Sequence, residues 1–343
     1  MNKRPKPFII PFFIPHAGCP HRCVFCNQTA ITGLAASPSP AFIRPVIHQF
    51  RSYNHRPREP IQLAFYGGNF LGLASGMIIN LLAEAQECVR EGLIDQIRFS
   101  TRPDTITSRT LDMLSGFSVR TIELGIQSMD DAVLSFSRRA HTSAQCEQAL
   151  GLIKDRGYET GAQIMTGLPG DTGPQSLDTA QKLAALCPDF IRIYPTVVIS
   201  GSPLAAWYHK GEYTPPGLKE TVRLVSKLYR IFESRDIPVI RMGLQPTEDL
   251  DDSAVVLAGP YHPAFGHLVL SERFLEKTVR LIGNSPPRPG QSLTLYVHPR
   301  SASVLRGLRN DNIKNMKDTF GVHTIHIIED NTLSPGQIVY GRP

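Results

Sequence analysis

The sequence predicts an α/β protein: a parallel (β/α) barrel, partial or complete, over residues 1–245, a connecting segment and linker over 246–290, and a small α/β domain over 291–343. Three observations carry this. Short runs of β-branched and aromatic residues alternate with helix-period segments, roughly six or seven times, as in the βα units of a parallel sheet. Glycines and polar residues gather where each run ends, which is where the loops of such a sheet build a site. The alternation stops near Gln245, and Asn284-Ser285-Pro286-Pro287-Arg288-Pro289-Gly290 interrupts the chain before a fresh strand.

In order, Phe8 to Ile14 is rich in strand formers and runs into a loop bearing Cys19, Cys23 and Cys26. Residues 34–60 are Pro-rich and irregular, with one short helix over Ile43 to Tyr53. Ile61 to Tyr66 is a strand ending in Gly67-Gly68-Asn69, and the following helix sets Ile78, Leu82, Ala85 and Val89 on one face. Strands over Ile97–Thr101, Val119–Ile126 and Thr160–Met165 follow, each leading into helical pattern, with Cys187-Pro188 stopping the helix from Gln175 to Leu186. Phe190 to Ile199 reads as one strand region, Leu218 to Arg235 as an amphipathic helix, and Ile237 to Met242 as the last strand of the series. Beyond the turn-rich stretch around Gly259 and Pro260, a helix is expected over Ser271 to Ile282, then the linker, then an alternating strand over Ser292 to His298.

The composition is that of an ordinary globular protein, 41% hydrophobic and 19% charged, with no apolar run long enough for a membrane span. A net charge of +6 and a pI near 9.0 favour a polyanionic partner mildly. Cys88, Cys146 and Cys187 are scattered without pairing spacing, as expected of reduced thiols in a cytoplasmic protein.

The spacing of the first three cysteines is C-x3-C-x2-C. Thiolates ligate iron, and a cubane cluster has four irons that each take one ligand, so three thiolates leave one iron open to a non-protein ligand. Two other readings compete. A zinc knot would need a fourth ligand, for which His16 or His21 is at hand. An export signal ending Ala17-Gly18-Cys19 would follow Lys3, Arg4 and Lys6, but Pro7, Pro11 and Pro15 make it a poor signal helix.

The cysteine spacing, with Phe25 before the last thiol, resembles the signature of the radical S-adenosylmethionine (SAM) superfamily. The order of later segments sharpens this: Gly67-Gly68-Asn69, Ser100-Thr101-Arg102-Pro103-Asp104, Glu123-Leu124-Gly125-Ile126-Gln127-Ser128, Arg138-Arg139-Ala140-His141-Thr142, Gln163 to Gly170, and Ile193-Tyr194-Pro195-Thr196. Over roughly residues 9–215 these resemble the radical SAM domain of the Elongator catalytic subunit and its prokaryotic relatives. The resemblance implies a barrel of the radical SAM type, one 4Fe–4S cluster on Cys19, Cys23 and Cys26, and SAM. It implies SAM contacts from Phe25, Gly67, Gly68, Asn69, Ser100, Gln127 (ribose), Arg139 (carboxylate) and Gln163 (sugar). The catalytic residue on the substrate side stays unassigned; Tyr194, His262 and His267 are candidates. Ser100 departs from the pattern, which has Glu there, and Ala140 replaces Gly. The chain is expected to carry the radical SAM domain only, with no acetyltransferase domain and no basic N-terminal extension.

The implied activity is reductive cleavage of SAM to a 5′-deoxyadenosyl radical, for modification of tRNA or another RNA, with a one-electron donor such as ferredoxin or flavodoxin. A porphyrinogen-type oxidoreductase and a non-catalytic RNA-binding protein with a structural metal are the alternatives. The tail supports RNA. Val304 to Met316 and Phe320 to Ile327 resemble the helix–GxxG–helix–strand core of a KH module, with Gly307-Leu308-Arg309-Asn310 as the loop. Gly307, Arg309, Asn310 and Lys314 are then the expected RNA contacts, Asn310 standing in for the second glycine because Asn tolerates left-handed backbone.

Overall fold

The computed structural model describes residues 7–20, 22–29, 38–53, 60–246, 250 and 254–341. Lys3, Arg4, Lys6 and His21, and parts of the Pro-rich stretch (34–37 and 54–59), lie outside the described residues.

Seven strands form one sheet: β1 (Phe8–Ile14), β2 (Ile61–Gly67), β3 (Gln96–Thr101), β4 (Val119–Gln127), β5 (Glu159–Thr166), β6 (Phe190–Pro195) and, past the short β7 (Val198–Ile199), β8 (Val239–Met242). Every neighbouring pair is parallel. Spatial order follows chain order, so each crossover steps the same way and the sheet curls into a half-barrel.

Strand periodicity divides the side chains between two very different faces. Ile10, Phe12, Leu63, Phe65, Ile97, Phe99, Ile122, Leu124, Ile164 and Ile193 are buried on the outer face. There they meet Ile47, Ile78, Leu82, Leu150, Leu183 and Phe232 from the covering helices. Phe65, Phe70 and Phe99 stack with centroids 4.9 and 4.6 Å apart, so truncating Phe99 should cost about 3–5 kcal/mol. The helices are well started: Thr142 and Gln145 form a reciprocal capping box ahead of the helix Ser143–Asp155, and Asp130 caps Asp131–Phe136. The inner face is polar. The register aligns Ala64 with Arg98, Ser100 with Glu123, Gly125 with Gln163, Gln163 with Arg192, and Arg192 with Arg241.

The strand expected over Phe190–Ile199 is broken at Thr196-Val197. Thr196 N–H still bonds to Thr166 O at 2.9 Å, but β7 then leaves the sheet to pair antiparallel with β9 (Val256–Ala258). The helix expected from Ser271 starts earlier and runs Phe265–Gly283, initiated where His262 Nδ1 accepts from Ala264 N–H at 3.0 Å.

In the C-terminal unit β10 (Ser292–Val297) is central, parallel to β11 (Thr324–Glu329) and antiparallel to β12 (Ile338–Gly341). Helices Pro299–Arg306 and Asp311–Phe320 close its core through Leu305 and Met316. The helix Phe265–Gly283 belongs to both cores: Phe265 and Val269 pack with the half-barrel, Ile282 with Leu293 and Leu295. Among the described residues no helix is long and apolar enough to cross a membrane.

Candidate active site at the C-terminal ends of the strands

The cysteine loop leaves β1 and folds back on itself. Gln28 closes it twice, donating its backbone N–H to His16 Nε2 at 3.0 Å and accepting from His16 N–H through Oε1. Val24 is clamped from two sides, its N–H on Ser137 O at 3.2 Å and its carbonyl under Leu204 N–H at 2.8 Å. Phe25, half-buried, packs against the cluster formed by Val24 and Leu204.

The loop also lies against the turn after β2, backbone on backbone. Gly68 N–H donates to Ile14 O at 2.8 Å and Asn69 N–H to Ala17 O at 2.9 Å. A Cβ on Gly68 would stand 2.1 Å from Ala17 O, and one on Gly18 would stand 2.1 Å from Asn69 O, so both approaches require glycine. The Asn69 side chain is buried and fully used: Nδ2 donates to Gly18 O, while Oδ1 accepts from Thr101 Oγ1, Arg102 N–H and Thr105 Oγ1.

Cys23 is buried, Cys19 and Cys26 half-buried, and all three thiols are free. Burial pushes the Cys26 thiol up to about 12, and the neighbouring Cys23 and Cys19 add to it; burial and Cys23 likewise raise Cys19. Such thiols ionise only when positive charge is brought among them, as a ligated metal does. Arg139 supplies part of that charge. Its Nη1 donates to Cys23 Sγ at 3.2 Å and its Nη2 to Gly125 O, linking the loop to the end of β4. His16 spends its Nε2 on Gln28, and among the described residues no three His, Cys, Asp or Glu side chains close around one ion.

Beside this loop Gln127 holds a left-handed backbone (φ 70°), which is costly for a non-glycine residue. Its Oε1 is buried without a partner among the described residues, as is Arg139 Nε. Buried polar atoms need partners, and a polar nucleotide would supply them. A cavity of about 650 Å³ adjoins Arg139, lined also by Arg22, Arg138, His141, Thr142 and Pro203. His141 Nε2 lies 3.1 Å from Ile126 O, which makes it the protonated nitrogen. Burial, then the nearby Arg139, lowers its pKa to about 4, so the ring is neutral at physiological pH. Arg102 pairs with Asp104 at 2.8 Å next to Asn69.

Below the rim, Gln163 Nε2 donates to Ser100 Oγ at 3.2 Å and to Glu123 Oε2 at 3.0 Å. Glu123, fully buried, also pairs with Arg98 at 2.5 Å and Arg192 at 2.8 Å. Both guanidiniums hold its carboxyl below the usual range although burial pushes the other way. Sequence reasoning does not pick out Arg98 or Arg192. The available signal is an arginine at alternate positions of otherwise apolar strands, Ile97-Arg98-Phe99 and Ile191-Arg192-Ile193. Tyr194 joins this group through Arg192 Nη1 at 3.4 Å, whereas His262 spends Nδ1 on the turn before its helix. Gly307, Arg309, Asn310 and Lys314 lie on the separate C-terminal unit, where Lys314 pairs loosely with Asp311 at 3.3 Å.

The donor set fits a cluster with one free coordination site beside a polar nucleoside: three thiols on one anchored loop, an arginine on the middle one, and unpartnered buried polar atoms alongside. Residues 13–183 match the Radical SAM superfamily and residues 188–276 the Radical_SAM C-terminal domain. The chain is 26% identical over 276 residues to the tRNA uridine(34) acetyltransferase of Dehalococcoides mccartyi, covering 68% of this chain and 60% of that one. It is 25% identical over 229 residues to Elongator complex protein 3 of Schizosaccharomyces pombe, covering 58% and 42%. The archaeal Elp3 of Methanocaldococcus infernus, solved with an N-terminal deletion, superposes with a TM-score of 0.61 at 20% identity, covering 79% of this chain and 63% of that one. The chain thus spans less than two thirds of the length of these relatives. On the two family matches and the geometry of the three-thiol loop, the chain belongs to the radical SAM superfamily, enzymes that use a 4Fe–4S cluster and S-adenosylmethionine.

Proposed function

We propose that the protein modifies RNA, with tRNA as substrate, by radical chemistry of the Elongator type. The observation that carries this reading is the anchored three-thiol loop set over a polar half-barrel interior. Cys19, Cys23 and Cys26 would hold the cluster, and Gln127, Arg139, Gln163 and the Gly67-Gly68 backbone would hold SAM. Bound there, the pair would supply one-electron reductive cleavage of the C5′–S bond of SAM and, through it, hydrogen-atom abstraction from substrate.

The chain's own residues do the rest. Arg139 would offset the charge gathered on the thiolates, Gln127 and Arg139 would present their unpartnered polar atoms to the nucleoside, and the packing of Phe25 against Val24 and Leu204 would hold the loop in place. A one-electron donor such as ferredoxin or flavodoxin would reduce the site, and the unpaired thiols Cys88, Cys146 and Cys187 suit a cytoplasmic setting.

RNA is supported by the relatives named for tRNA modification and by the C-terminal unit. There the loop Gly307–Asn310 joins two helices, and Gly307, Arg309 and Asn310 all have positive φ (72°, 52° and 63°). Such a turn holds the Arg309 charge on an exposed edge, where it can meet a phosphate. The test is anaerobic reconstitution followed by incubation with dithionite and SAM, with and without bulk tRNA. 5′-Deoxyadenosine is expected, in greater amount with tRNA. A fully loaded protein that makes none in either case overturns the reading.

A further inference from the structure

The inner face of the half-barrel holds more positive charge than the cofactor residues use. Arg98, Arg192 and Arg241 all project from it, Arg192 and Arg241 as register partners on β6 and β8. Among the described residues Glu123 is the acid that pairs with Arg98 and Arg192, and its oxygens are already filled. Oε1 accepts from Arg98 Nη2 at 2.5 Å and Nε at 3.1 Å, from Tyr66 OH at 2.9 Å and from Arg192 Nη2 at 3.2 Å. Oε2 lies 2.8 Å from Arg192 Nε and accepts from Gln163. The remaining arm of Arg98 is satisfied by Gln62 Oε1 at 2.7 Å. Glu159, another acid on this face, sits at the N-terminal end of β5 and is occupied with Thr121 Oγ1 at 2.6 Å. Ser100, where the resembled pattern carries Glu, adds no charge.

One side of the network is left over. Arg192 Nη1 reaches only Tyr194 OH, at 3.4 Å, the outer limit of a hydrogen bond. Arg241 is half-buried and makes no ion pair or side-chain hydrogen bond among the described residues. Arg192 keeps one poorly satisfied donor group and Arg241 its whole fork, and an anion between them would complete both. Arginine's planar fork is suited to a two-oxygen acceptor. Both residues stand near the β8 edge, opposite the β1 edge that carries the cysteine loop.

We infer that Arg192, Tyr194 and Arg241 form a site for an oxyanion, a carboxylate or a phosphate, on the molecule that undergoes the radical reaction. The substrate is then anchored by an anionic group at one edge of the half-barrel while its reacting carbon faces the loop at the other. The inference rests on the proposed activity for its meaning, but not for its test. Melting of the 343-residue chain is followed without cluster or SAM, in malonate, in inorganic phosphate, and in sodium chloride of equal ionic strength. At least one of the two oxyanions is expected to raise the melting temperature by about 2 °C over chloride at ten times its dissociation constant. Arg241→Gln is expected to abolish that rise, while Arg306→Gln, on the C-terminal unit, keeps it. Response to malonate alone assigns a carboxylate, to phosphate alone a phosphate, and to both an unspecialised oxyanion site. No rise over chloride, or a rise that survives Arg241→Gln, overturns the inference. Absence of 5′-deoxyadenosine from the loaded enzyme would overturn the proposed activity and leave this binding result standing.

Discussion

Asn69 donates from Nδ2 to the carbonyl of Gly18 at 3.0 Å, and so ties the end of β2 to the residue just before the first cysteine. The same side chain receives Thr101 Oγ1 at 2.7 Å and Arg102 N–H at 3.0 Å. Asn69→Ala would strand the buried Arg102 N–H, at about 1–3 kcal/mol, turn the Thr101 hydroxyl onto Thr105 Oγ1 at 2.9 Å, and remove the side-chain tie on the cysteine loop. The expected result is a lower melting temperature and fewer irons per chain after reconstitution. Asn69→Asp keeps the acceptor and loses the Gly18 bond, so it should recover most of the stability but not the iron. Full iron content in both variants would show that the loop holds its shape without this tie.

Glu123→Gln tests the core of the inner-face network. The carboxylate is fully buried between Arg98 and Arg192, and removing its charge leaves two guanidiniums without an anion. Breaking a buried pair from one side costs about 3–5 kcal/mol, whereas replacing the whole set by apolar residues can be neutral. Glu123→Gln is therefore expected to lower the denaturant midpoint markedly. Glu123→Leu combined with Arg98→Met should recover part of that loss. A single variant as stable as the parent would mean the ion pairs contribute nothing net.

How much of this is legible in the sequence depends on whether a residue's partners are local. Cys19, Cys23 and Cys26 declare themselves by spacing, and Gly67-Gly68 by falling at a strand end; the structure adds the reasons, a φ of 106° at Gly67 and, at Gly68, a Cβ that would stand 2.1 Å from Ala17 O. The parallel sheet follows from alternation of strand and helix patterns. Asn69 reads as a ligand-facing residue, yet its four partners come from the loop after β1 and from the end of β3, and no local pattern announces them. Arg98 and Arg192 are distant in sequence and meet only because β3 and β6 flank the same interior, so neither stands out from the chain alone. The departure of β7 and the antiparallel β12 escape notice for the same reason: each depends on a non-local partner strand.

Arg309 separates electrostatics from backbone strain in the C-terminal loop. Its φ of 52° and ψ of 31° are left-handed, which costs a residue with a Cβ about 1 kcal/mol. Arg309→Gly relieves that strain and loosens the unfolded chain by a similar amount, so stability should stay within about 0.5 kcal/mol of the parent. If the loop meets phosphate, Arg309→Gly and Arg309→Glu should both weaken retention of bulk tRNA, and Arg309→Gly should flatten the slope of log affinity against log salt by about 0.7–0.9. Unchanged affinity and slope in both variants would leave this unit a packing element alone.

His141 gives a pH dependence whose sign is fixed by its surroundings. Burial and Arg139 lower its pKa from 6.5 to about 4 in the folded protein. Between those values the unfolded chain binds a proton that the folded chain refuses, so stability falls as pH drops through that window and is insensitive to this residue above it. The full effect is about 3 kcal/mol, since every tenfold loss of proton affinity on folding is worth about 1.4 kcal/mol. Carboxylates held low in the fold, Glu123 and Asp104, also lose stability on acidification, so the parent alone cannot isolate the histidine. The comparison with His141→Gln does. Gln can still donate to Ile126 O, the bond made by His141 Nε2, but does not titrate. Urea unfolding of both proteins from neutral pH to about pH 4 should show the parent losing about 3 kcal/mol more than the variant. Parallel losses would mean that the imidazole takes up its proton in the folded state as readily as in water.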